Sequence, residues 1–259
     1  MRKILAVTGL MILATTLGLG GETARKVLIL FDEKPQMEVL AKRLKSEGYA
    51  VDFVSTKDKL PILDPYHAVV VFIHKVFPAD QAEAVIRYTR AGGRMIALHH
   101  TISSAKAKTP DWLRFLGIEL AKGDIEKGGY VWQEGVTLRL VNLAPGHYIT
   151  TNKIEYPAKA EYKRFDREEP AQERDCVDFP GSEVYINHRF TDSKDKTVLY
   201  GLACRHPKLG EKTWMQDRGG WLKKAEKGWI FYFMPGHTVQ ELENPVFQQV
   251  IMNSLTWTP

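Results

Sequence analysis

Two short stretches of the sequence combine imidazoles with small residues in a way that could do chemistry. Leu98-His99-His100-Thr101-Ile102-Ser103-Ser104 follows one apolar run, and Met234-Pro235-Gly236-His237-Thr238 follows another. Histidine changes charge near neutral pH, so it can hand a proton to or from a substrate, and its neutral form ligates metals. A single histidine past an apolar run is as often a core-edge imidazole as a working group. Two of them, at the ends of two such runs, argue for a site in which His99 and His237 are the principals and His100 and Ser103 line the substrate. Proton transfer beside a carbonyl is the leading chemistry. A divalent cation, zinc or manganese, held with the help of His100 or His188 is the alternative, ranked second because no compact H-x-x-x-H spacing supports it.

The elements that must position these residues alternate in type. Lys26 to Phe31, Val51 to Val54, His67 to Ile73 and Arg94 to Leu98 are apolar runs of strand length. Between the first two, Met37, Leu40, Ala41 and Leu44 have the spacing of an amphipathic helix. A second helix opens at Pro78 and stops at Ala91-Gly92-Gly93. This alternation predicts βαβ units in an α/β fold of three layers, with a doubly wound and mainly parallel sheet. Residues 120 to 180 show few clean periods and read as an elaboration with short strands such as Val136 to Leu140, including a mixed-charge loop from Glu161 to Asp175. Thr197 to Leu202 and Gly228 to Phe233 read as core strands, and Pro245 to Trp257 as a closing helix. In an open parallel sheet ligands gather at the carboxyl ends of the strands, where both histidine stretches fall.

The amino terminus has a different character. Arg2 and Lys3 precede an apolar run from Ile4 to about Leu19, and small residues follow, which is the pattern of a cleaved secretory signal. Residues 1–21 are expected to be the signal peptide and residues 22–259 one domain, with a periplasmic or secreted address. A retained anchor is the alternative, and no membrane span is expected once the leader is removed. The formal charge of +5 includes Arg2 and Lys3, so the mature chain carries near +3, scattered among acids. That is too mild to argue for nucleic acid, and no nucleic-acid partner is expected. Cys176 and Cys204 would reside where disulfides are allowed, and both a bridge and two separate buried thiols fit the sequence.

Three segments carry a resemblance. Gly92-Gly93-Arg94-Met95-Ile96-Ala97-Leu98-His99, Gly181-Ser182-Glu183-Val184-Tyr185 and Gly228-Trp229-Ile230-Phe231-Tyr232-Phe233-Met234-Pro235-Gly236-His237-Thr238 resemble the ThuA (trehalose-utilisation) family, part of the class I glutamine amidotransferase-like superfamily. The tail from Glu243 to Trp257 resembles that family's closing helix, and residues 120 to 180 match least. The resemblance implies a flavodoxin-like sheet, a role in carbohydrate metabolism, and a pocket in which His99, Glu183 and His237 divide acid and base roles with Tyr185 beside them. The amidotransferase nucleophile is absent, because His99-His100-Thr101 stands where its cysteine would be. The expected ligand is a small sugar, in particular an oxidised (keto) sugar, or a glycoside.

A noncatalytic carbohydrate-binding or interaction module on the same fold is the competing reading. Trp112, Trp132, Trp214, Trp221 and Tyr130 could stack on sugars under either, with Trp214 taken as a substrate contact, although core packing accounts for most aromatics in such a fold. The two readings part on whether His99, Glu183 and His237 share one cleft.

Overall fold

The computed structural model describes residues 24–164, 168–210 and 212–259, so the expected signal peptide lies outside the described residues. The strands are β1 (Lys26–Phe31), β2 (Ala50–Ser55), β3 (Ala68–Phe72), β4 (Arg94–Leu98), β5 (Ile118–Leu120), β6 (Val131–Asn142), β7 (Ala158–Tyr162), β8 (Gln172–Ile186), β9 (His188–Phe190), β10 (Lys196–Cys204), β11 (Trp214–Ala225) and β12 (Gly228–Phe233). The helices are α1 (Pro35–Ser46), α2 (Ala79–Arg90), α3 (Trp112–Leu116), α4 (Tyr148–Thr151), α5 (Val239–Glu243) and α6 (Pro245–Thr256).

Ten strands form one sheet in the order β2-β1-β3-β4-β12-β11-β10-β6-β8-β7, and β5 pairs with β9 apart from it. The four strands read from the sequence are all present and run parallel, with β12 parallel to β4 on their far side. Their residues, Val69 to Phe72 for example, are closed to solvent, as expected where helices cover a parallel sheet. α1 packs with α5 and α6, and α2 with α3. From β12 outward every pairing is antiparallel. The expected doubly wound, mainly parallel sheet is therefore corrected to a mixed one. The reason is local: β11 reaches β12 across Glu226 and Lys227 alone, and so tight a link can only join antiparallel neighbours.

Residues 120 to 180 also differ from the short strands expected there, since β6 has 12 residues and β8 has 15. β10 holds only the second half of β6, from Arg139 to Asn142. The first half pairs with Ser182 to Ile186 of β8, and the register shifts on both sides of Val136. Such bulges bend a strand pair and add twist. The β6/β8 ribbon thus leaves the sheet and returns over the carboxyl ends of β4 and β12. Among the described residues, no helix is long and apolar enough to cross a membrane.

Candidate functional site

His99 directly follows β4 with φ of 45°, the left-handed region that side chains other than glycine rarely occupy. This turns its ring under the chain leaving β12, where Nδ1 lies 2.6 Å from the Met234 carbonyl oxygen. A carbonyl only accepts, so Nδ1 carries the hydrogen and Nε2 faces the cleft. Gly236 makes the approach possible: its φ is 135°, and a Cβ there would sit 3.2 Å from that of His99. Glu241 accepts from the Gly236 and His237 amides and Gln36 donates to the His237 carbonyl, which fixes the turn.

Glu183 enters from the ribbon. Its Oε2 lies 3.1 Å from His99 Nε2, 3.4 Å from His100 Nε2 and 3.8 Å from His237 Nδ1, and it accepts from the Tyr185 hydroxyl at 2.6 Å. The structure thus brings His99, His100, Glu183, Tyr185 and His237 together, and only His237 keeps substantial solvent contact, at 24% of its side chain. Burial pushes the His100 imidazole down to about 3, reinforced by His99, so His100 is neutral. Burial alone would raise the Glu183 carboxyl, but hydrogen bonds from His100, His99 and Tyr185 hold it well below the usual carboxylate range.

The hydrogen count is the informative feature. His99 spends its Nδ1 hydrogen on Met234, which leaves a second acceptor, or a charged ring, against an ionised carboxylate. His100 Nδ1 and His237 Nδ1 are buried without partners. A cation among the four residues would take the lone pairs of His99 Nε2, His100 Nε2 and His237 Nδ1, although His100 Nδ1 would keep no partner, and the four ligand atoms all lie within 4.8 Å of one another. Around a tetrahedral zinc with bonds of about 2.0–2.1 Å, neighbouring ligand atoms stand about 3.3–3.5 Å apart. The separations from Glu183 bracket that value, and the bond from His99 Nδ1 to a carbonyl is the usual support of a metal-bound histidine.

The remaining candidates are placed differently. Ser103 is nearly enclosed, and its hydroxyl accepts from Lys106 Nζ at 3.2 Å. Trp214 is fully buried in β11 with its indole N–H on the Leu209 carbonyl, so it offers no face to a sugar. His188 is buried, with Nδ1 at 3.2 Å from the Tyr185 carbonyl oxygen, and it does not belong to the cluster. Sequence reading missed His74 and Glu33. The half-exposed His74 ring lies parallel to that of His100 at 4.2 Å, and its Nδ1 is 2.7 Å from Glu33 Oε1. Asp32 accepts from the His74 amide and buried Lys106 donates to the His74 carbonyl, pinning the residue from both sides. The strand-end rule, applied to β1 and β3 as it was to β4 and β12, points to both residues. Glu33, His74 and His100 form a second group with metal-ligating atoms close together. Parallel stacked rings aim their lone pairs side by side, however, which suits a shared cation poorly.

The family model described as "ThuA: Trehalose utilisation" matches residues 29–258. The chain belongs to the ThuA family. A solved ThuA-like protein from Bacteroides uniformis is 18% identical, with a TM-score of 0.57 over 90% of this chain and 91% of that one. The carbohydrate deacetylase Agd3 (13% identity, TM-score 0.56) and a β-galactosidase from Bacillus circulans sp. alkalophilus (13%, 0.54) share the fold over 90% and 89% of this chain. The ThuA-like chain spans only 32% and 30% of those two larger proteins. At these identities the likeness is one of fold. No curated protein matches the sequence.

Proposed function

We propose that this ThuA-family chain is an exported carbohydrate-active enzyme that acts on a keto-sugar or glycoside, with His99, His100, His237 and Glu183 holding a divalent cation such as zinc or manganese. The observation that carries the reading is the set of three imidazole nitrogens around one carboxylate oxygen, in a family described by trehalose utilisation. Such an ion, when bound, supplies Lewis acidity toward a sugar carbonyl or hydroxyl pair. Tyr185 steadies Glu183, and Met234 fixes the ring of His99. His237 is the cluster residue a substrate would meet first. His74, held by Glu33 through Nδ1 and half-exposed, stands beside the cluster, placed to move a proton at a carbon or oxygen of the bound sugar.

The test is metal analysis of the purified protein, followed by incubation with oxidised and ordinary disaccharides, with and without chelator. About one equivalent of cation and chelator-sensitive conversion of a keto-sugar are expected. Sugar binding without conversion would favour a noncatalytic module, and turnover indifferent to chelator would leave acid–base chemistry without a metal. The export part is tested separately, by amino-terminal sequencing of protein recovered outside the cytoplasm. A start near Glu22 is expected, and an intact Met1 on cytosolic protein would defeat it.

A further inference from the structure

Three of the tryptophans that could stack on a sugar, Trp112, Trp214 and Trp221, are fully enclosed, whereas Trp132 is 50% exposed. Leaving that much indole in water forgoes the free energy of burying it, which a stacked ligand would recover. The strand ladder fixes its place. Trp132 stands opposite Tyr185, and Glu134 stands opposite Glu183. Directly opposed residues of an antiparallel pair point to the same face. Trp132 and Glu134 therefore share the face on which Tyr185 and Glu183 reach the histidines, and the first register shift comes only after Glu134.

Diagonal neighbours on such a face lie roughly 7–8 Å apart, so the Trp132 position stands about one sugar ring's breadth from that of Glu183 on the ladder. On the inner side Tyr130 lies parallel to Tyr185, with ring centroids 6.4 Å apart. Glu134 is exposed and stands across the ladder from Glu183. A carboxylate beside an indole offers what a pyranose needs, an acceptor for its hydroxyls and a flat surface for its C–H face.

We infer that Trp132 and Glu134 form a second sugar subsite. The substrate is then a disaccharide or other glycoside whose inner ring lies at the histidine cluster and whose outer ring rests on the indole. This deepens the carbohydrate reading above and rests on it.

Calorimetric titration of the full chain with trehalose and, separately, with glucose tests the subsite. Wild type should bind trehalose more tightly than glucose. Trp132→Ala should weaken trehalose binding by roughly tenfold, with glucose binding little changed. Trp132→Phe should recover most of the loss, and Glu134→Gln should weaken trehalose binding by a smaller factor. Unaltered trehalose affinity in Trp132→Ala, or a wild type that binds glucose as well as trehalose or binds neither, would overturn the inference. A His99→Ala control separates it from the parent reading. Trehalose binding that still depends on Trp132 after cation and turnover are lost supports the subsite, while wild-type protein that binds trehalose yet takes up no cation defeats only the metal centre.

Discussion

The parallel half of the sheet and its antiparallel extension contribute different things to one site. β4 and β12 end in His99, His100 and His237, held on backbone that tight turns and buried hydrogen bonds make rigid. The extension contributes Glu183 and Tyr185, carried back over the strand ends by a bulged ribbon of β6 and β8. Neither half is a site alone. The imidazoles without Glu183 have no counter-charge to offer a cation, and Glu183 without them is a buried carboxylate. An open parallel sheet supplies a place for ligands, and an appended ribbon supplies the group that closes it.

The largest effect should come from cutting that joint on either side. Glu183→Gln in the extension and His99→Ala in the parallel half should each abolish uptake of the cation and lower turnover by roughly a hundredfold or more, with the fold intact. Metal analysis and turnover on a keto-disaccharide measure both. If Glu183→Gln keeps its cation while His99→Ala loses it, the carboxylate is not a ligand and the two halves do not meet as described.

The same division separates what was legible in the sequence from what was not. β1 to β4 are short apolar runs, and the helices between β1 and β2 and between β3 and β4 have clear stops at Gly48 and Gly93, so each element announces itself within a dozen residues. His99 and His237 follow from that frame because they come just past strand ends, His99 immediately after β4 and His237 four residues after β12. β6 and β8 are long strands whose two-residue period is broken by bulges around Gly135 and Val136, and their pairing joins residues 35 to 55 positions apart. Glu183 was reached through family resemblance, since no local period distinguishes it from a surface acid. His74 and Glu33 lay within reach of the strand-end rule. Trp214 misled because nothing in its neighbours reveals that β11 is covered at that point.

His188 gives the contrast an intermediate test. It lies in β9, beside the extension, enclosed and outside the cluster, and burial, with Arg218 nearby, pushes its imidazole down to about 3. The folded value lies below the unfolded one, so the neutral ring favours the folded state above about pH 6.5. That contribution is lost as pH falls from about 6.5 toward 3, to an extent of a few kcal/mol in order of magnitude. Melting temperatures at pH 7 and pH 4.5 should differ less in His188→Leu than in wild type. An equal difference in both would mean that His188 reaches solvent. Cation binding near neutral pH should be unchanged in this variant, which sets His188 apart from His99.

Two glycines of the parallel half make a finer comparison. Gly236→Ala places a methyl group against His99, so it should weaken cation binding by roughly tenfold in addition to costing about 1–3 kcal/mol of stability. Gly48→Ala is strained in the same way, with φ of 85°, but a Cβ there meets nothing within 4 Å. It should lower the melting temperature and leave the cation alone. Equal cation affinity in the two variants would show that the approach of the β12 turn to His99 is not what sets the metal geometry.

The smallest expected effect is none, and it concerns the two cysteines of the extension. Cys176 on β8 stands opposite Val141 of β6, which in turn stands opposite Gly201 of β10. Cys204 lies on β10 three residues beyond Gly201, with β6 between it and β8. Two ladder spacings of about 4.8 Å across the sheet and about 10 Å along β10 separate the Cα atoms by far more than the ~7 Å a disulfide can span. Both thiols are buried and free, and burial raises Cys176 and pushes Cys204 up to about 12, so neither is a reactive thiolate at neutral pH. Dithiothreitol should therefore leave the melting temperature where it is, and a thiol reagent should find two groups only after unfolding. A bridge would contribute roughly 2–4 kcal/mol, so a clear fall in melting temperature on reduction would mean that β6 does not lie between β8 and β10. The ribbon that carries Glu183 would then have to be anchored in some other way.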